Sequence, residues 1–171
     1  MKRKRLNLFV TCLLFVVAGI ALQGCDNKVK VKEQTFDMGE GCSPVGGVCI
    51  ITISNPLTGP QVMRDSIAAF LNEQLYDLFD QYVDKKFSRE EVFHADIATM
   101  MKHYVDTYAP YFSKEFQCNL ELRCHLISQS DTEVTYEIDR KEDAGEVNRK
   151  VTYYSFSKKD GHKVHETKME D

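Results

Sequence analysis

The order of periodicities predicts an α+β domain: a strand, two helices, then an antiparallel sheet of three to four strands covered on one face by the helices. Three observations carry this. Apolar residues recur at three- and four-residue steps from Met63 to Tyr108, the period switches to two from Phe116, and turn residues punctuate the rest. The chain has 171 residues, 43% apolar and 28% charged, the composition of one ordinary globular domain.

Lys2 to Arg5 form a basic leader, and Leu8 to Leu22 an apolar run. That run has secretory-signal length and falls short of the ~20 residues of a spanning helix. Leu22-Gln23-Gly24-Cys25 resembles the bacterial lipoprotein lipobox, with an aliphatic residue three before the Cys and a small one directly before it. The resemblance implies a signal peptide over 1–24 and fatty acyl chains such as palmitate on Cys25. It further implies a tether over 25–40, a single domain over 41–171, and attachment to the extracytoplasmic side of a cell membrane. Two or more acyl chains hold a soluble domain on a bilayer stably. Asp26 resembles the inner-membrane retention residue of enteric lipoproteins.

Removal of 1–24 takes four of the 22 basic residues and no acidic one, leaving 18 against 26, a net of −8. Nucleic acid is therefore not an expected partner, because phosphate contacts need clustered Lys and Arg.

Val29 to Phe36 extends the polar tether into a strand. Gly41 to Cys49 is turn chemistry, and Val48 to Ile53 (VCIITI) is a β-branched strand stopped at Ser54-Asn55-Pro56. Pro60 opens a helix carrying Met63, Ile67, Leu71, Leu75 and Phe79 on one side through Val83. Ser88 and Glu91 form a capping-box pattern for a second helix, which Pro110 ends. From Phe116 to Leu126 apolar and polar residues alternate strictly, as they do from Val134 to Ile138. Arg140 to Glu146 reads as a charged loop and Val147 to Ser157 as a strand with an exposed edge. Lys159-Asp160-Gly161 is a turn, and 162–169 a weak last strand.

Six Cys are present. With Cys12 in the signal and Cys25 lipidated, Cys42, Cys49, Cys118 and Cys124 are disulfide candidates. If Phe116 to Leu126 is one strand, Cys118 and Cys124 are ~20 Å apart and cannot bridge. A Cys42–Cys49 bridge is preferred, because a two-residue loop at Val45-Gly46 would set them opposite. The alternative joins both to Cys118 and Cys124. Their spacings are not those of a zinc knuckle.

No nucleophile elbow, HExxH, Walker loop or dinucleotide fingerprint occurs, so neither catalytic residues nor a metal or cofactor is expected. His94, His103, His162 and His165 read as surface residues. Tyr111 and Phe112 follow Pro110 in a loop, where exposed aromatics form binding surfaces, and are the candidate binding residues.

The lipobox, the VCIITISNP strand, the helix opening at Pro60, the second helix and the closing meander together resemble a bacterial envelope domain of unknown function. It forms the extracytoplasmic part of RsiV-type anti-sigma factors, and its relatives accompany peptidoglycan deacetylase domains. The resemblance spans about residues 45–165. The family's Gly-Gly-Ala-His turn corresponds here to Asp143-Ala144-Gly145-Glu146, and the family domain runs on past Asp171, implying a C-terminally shortened member. The function implied is a lipid-anchored binding or sensing domain with an envelope protein or peptidoglycan partner. The alternatives are a wall-acting enzyme with unidentified carboxylates, or a cystatin-like structural or inhibitor lipoprotein.

Overall fold

The computed structural model describes residues 13–15, 28–39, 45–82, 97–108 and 118–170. Its elements in chain order are β1 (Leu13–Phe15), β2 (Val31–Met38), β3 (Gly46–Pro56), α1 (Gln61–Gln81), α2 (Ile97–Tyr108), β4 (Cys118–Gln129), β5 (Glu133–Asp143), β6 (Val147–Ser157) and β7 (Lys163–Glu170). All strands join one sheet in sequence order. Six are long. The three-residue β1 lies inside the segment read as signal peptide and pairs with the outer edge of β2.

The expectation of a separate antiparallel sheet of three to four strands is corrected. β2 and β3 belong to the same sheet as β4 to β7, and β3 runs parallel to β4 while every other pair is antiparallel. The cause is the connection. α1 and α2 make a crossover over one face, so the chain re-enters the sheet beside the strand it left, pointing the same way.

One face of the sheet is dry. Ile51, Ile53, Leu120, Leu122, Cys124, Val134, Tyr136 and Ile138 are buried against Met63, Ile67, Leu71, Leu75 and Leu78 of α1. The other flank of α1 meets α2, where the Phe79 and Tyr104 rings stack at 5.0 Å. Buried Tyr136 donates its hydroxyl to the Ser54 carbonyl at 2.9 Å, which satisfies the phenol inside this layer.

Several boundaries move. Pro60 is the N-cap rather than the first residue of α1. β3 continues to Pro56, tolerated because β4 pairs with β3 only as far as Ile53. Arg140 to Asp143 extend β5 instead of forming a loop, with Gly145 turning at φ 99°. β6 is not an edge, because β7 pairs along it from Lys150 to Phe156. The Ser88 capping box and Pro110 lie outside the described residues.

A glycine sets the β3–β4 junction. A Cβ on Gly47 would stand 2.3 Å from the Cys118 carbonyl oxygen and 2.7 Å from Asn119 Oδ1. Only glycine lets the β3 bulge approach that closely, and it lets Val48 donate its N–H to Asn119 Oδ1 at 3.0 Å.

Candidate functional site

Among the described residues the cysteine sulfurs form no site of their own. Cys49, Cys118 and Cys124 are free and buried, and Cys118 and Cys124 share the unbroken strand β4. The β2–β3 pairing sets Met38, not Cys42, opposite Cys49. The hairpin is thus not centred on Val45-Gly46, and Cys42 lies outside the described residues. Burial pushes the Cys49 and Cys124 thiols up to about 12, the nearby Cys118 adding to the effect on Cys49. Cys25, Tyr111 and Phe112 also lie outside the described residues. No cluster of His, Cys, Asp and Glu suited to a metal occurs among those described, and no described helix is long and apolar enough to cross a membrane.

Two concavities lie at different levels of the sheet, one from the middle of β5 at Ile138 to Arg140, the other beside the turn that precedes β5. The first lies between the C-terminal half of α1 and the dry face, a cleft of about 190 Å³. Its floor is set by register. Leu122, Arg140 and Lys150 are cross-strand neighbours on β4, β5 and β6, so two cations stand side by side where the apolar face gives way. Gln74, Asp77 and Gln81 of α1 form the opposite wall.

Arg140 is held by the end of the helix. Its Nη2 donates to Gln81 Oε1 at 2.6 Å and to the Tyr82 hydroxyl at 2.8 Å, and the guanidinium pairs with Glu142. Tyr82 in turn donates to Glu142 Oε1 at 2.8 Å. Burial, then the Glu142 hydrogen bond, raise the Tyr82 phenol above its ordinary range. Arg140 Nε is buried with no acceptor among the described residues. The cleft thus presents a guanidinium paired with Glu142, the Lys150 ammonium, two amides and the Asp77 carboxylate, a mixed polar lining that suits hydrogen-bonding groups.

The second concavity, about 480 Å³, lies where α1 begins and the β6–β7 turn closes, and Lys28, Lys158 and Lys159 line it. The chain is pinned there. Val29 donates its N–H to Gln129 Oε1 at 2.7 Å and accepts from Gln129 Nε2 at 3.2 Å. Lys30 donates its N–H to Thr58 Oγ1 at 2.8 Å. Gly161 seats the turn against α1, since a Cβ there would meet Ser66 Oγ at 2.5 Å and the Val62 carbonyl at 2.7 Å. Asp160 is kept ionised, its pKa lowered to about 2 by hydrogen bonds from Ser157 and His162. Sequence reading missed both concavities, whose residues come together only through the crossover and the last hairpin.

On the open face of the sheet His125 Nδ1 lies 3.2 Å from Glu33 Oε2. Neither residue lines the cleft or the lysine cavity.

Neither a known protein family nor a curated protein matches the chain. Among solved structures, a member of the DUF3298 family from Bacteroides fragilis is similar, with a TM-score of 0.53 at 11% identity. The match covers 80% of this chain and 58% of that one, so the chain spans less than two thirds of its neighbour. What is shared is the fold, that of a bacterial domain family of unknown function.

Proposed function

We propose that this chain is a lipid-anchored protein of the bacterial envelope, acylated at Cys25, whose domain offers the Arg140–Lys150 cleft to an envelope protein or wall-glycan partner. One observation carries the arrangement. Lys28 to Lys30, the first described residues after the lipobox, are pinned to Thr58 and Gln129 at an end of the sheet away from the cleft. The cleft residues Ile138 and Arg140 lie five and seven residues along β5 from Glu133, about 17 to 23 Å at strand rise. An anchor at Cys25 therefore holds the pinned end at the bilayer and turns the cleft outward. The lipobox and the sequence resemblance to RsiV-type domains support this reading, and the fold shared with a bacterial DUF3298 member is compatible with it.

The test is site-specific photo-crosslinking in cells, with the crosslinker replacing Gln74 or Lys150 at the cleft and, as control, Arg123 on the open face. A protein or muropeptide adduct confined to the cleft positions is the expected result. Adducts of equal yield at all three positions, or none at any, would count against the cleft.

A further inference from the structure

The pinned end of the domain is basic, although the chain without residues 1–24 carries a net charge of −8. Lys28, Lys158 and Lys159 line one cavity of about 480 Å³ together with Thr58, Thr132 and Ser157; among the described residues Asp131 is its lining carboxylate, and Asp160 beside it is bonded to Ser157 and His162. Lys158 is 8% exposed and donates from Nζ to Gln129 Oε1 at 3.3 Å, a bond that holds its side chain beside the pinned strand. Lys28 and Lys159 are exposed at the mouth. Three lysines around a space of this size offer ammonium groups to a phosphate group and its substituent.

Two further features say where that phosphate comes from. Leu57 and Val62 flank the cavity-lining residues Thr58 to Pro60 and are 53% and 47% exposed. Exposed aliphatic side chains beside clustered lysines characterise surfaces that rest in the headgroup region of a bilayer. Cys25 precedes Lys28 by three residues, a reach of at most ~11 Å. That is close to the ~8 Å over which a charged membrane surface acts at physiological salt.

We propose that this cavity binds the phosphate of an anionic phospholipid headgroup in the membrane that carries the acyl chains of Cys25. The inference rests on the lipoprotein reading and extends it. Acyl chains hold a domain at a membrane without orienting it, whereas the lysine contact fixes which end faces the lipid. Inorganic phosphate offers the same charge, but it makes no use of Leu57, Val62 or the short tether.

The experiment uses the lipoprotein purified with its acyl chains, placed in nanodiscs of phosphatidylcholine alone or mixed with phosphatidylglycerol. Hydrogen exchange is followed at the amides of residues 57–63 and 157–161. Exchange there is expected to slow in the phosphatidylglycerol discs. A Lys28→Gln/Lys159→Gln variant should lose this protection, each lysine near an anionic surface contributing about fivefold. Both side chains are exposed, and unchanged exchange in β4 checks that the variant is folded. Equal exchange in the two discs, or protection retained by the variant, would overturn the proposal. Equal protection from inorganic phosphate in phosphatidylcholine discs would overturn the lipid as its source. A protein whose N-terminal peptide carries no acyl mass would instead overturn the anchor itself, a separate readout.

Discussion

The hydroxyl of Tyr82 donates to Oε1 of Glu142 at 2.8 Å, tying the end of α1 to β5 at the rim of the cleft. Arg140 donates to the same hydroxyl, so the phenol relays between a cation and an anion. Tyr82→Phe should cost about 1–2 kcal/mol, below the upper range for a bond to a charged acceptor because Arg140 still pairs with Glu142. The pH dependence has a definite sign. The folded phenol is raised by burial and by Glu142, so its contribution is complete below the ordinary tyrosine value of ~10 and falls as pH rises beyond it. Urea unfolding of both proteins at neutral and strongly alkaline pH should show the gap narrowing at the higher pH.

Cys124 faces Ile53 on β3 and Ile138 on β5 and is fully buried. With its thiol pushed up to about 12 by burial, it should resist alkylation near pH 8 in the folded protein and react once urea unfolds the chain. Its stability contribution is whole below the ordinary thiol value of ~8.5 and declines as pH climbs above it. Cys124→Ser, which buries a hydroxyl among aliphatic groups, should destabilise by about 1–3 kcal/mol in the same urea assay.

Asn72 is 1% exposed on α1, and neither Nδ2 nor Oδ1 has a hydrogen-bond partner among the described residues. Asn72→Leu keeps the shape and removes an unsatisfied amide. It should raise stability by about 1–3 kcal/mol, seen as a higher urea midpoint with an unchanged slope. A lower midpoint would show that the amide is satisfied by ordered water.

Gly47→Ala should be disruptive despite the single added methyl, because the clash is with the Cys118 backbone rather than a movable side chain. A loss of about 1–3 kcal/mol is expected, the range for overpacking a tight contact. Amide exchange should speed first at Val48 and Cys118, where the β3–β4 junction is bonded.

The local elements were legible because their periodicities are strong. Leu120, Leu122 and Cys124 alternate with Asn119, Glu121 and Arg123, and β4 follows that pattern. Met63 to Phe79 mark α1 in the same way. The parallel β3–β4 pairing was not legible, since it joins Ile53 to Cys124 across the whole crossover and leaves no trace in local alternation. Cys42 and Cys49 misled for a related reason: symmetry about Val45-Gly46 says nothing of the register, which pairs Met38 with Cys49. The cleft is hidden in the sequence because the charged run from Arg140 to Glu146 has the look of a loop, whereas continued pairing with Leu122 and Lys150 carries β5 through Arg140. Lys28 and Lys159 are far apart in sequence, and only the Gly161 turn packing on α1 brings their segments to one cavity.

The proposed lipid anchor at Cys25, with the Lys28 end at the membrane, is open to direct chemical test. Its most direct test is the mass of the N-terminal peptide of protein isolated from cell membranes. The expected peptide begins at Cys25 and carries acyl mass, and a Cys25→Ser variant should leave the membrane fraction. A peptide that retains residues 1–24, or an unmodified Cys25 at the N-terminus of membrane-bound protein, would contradict it.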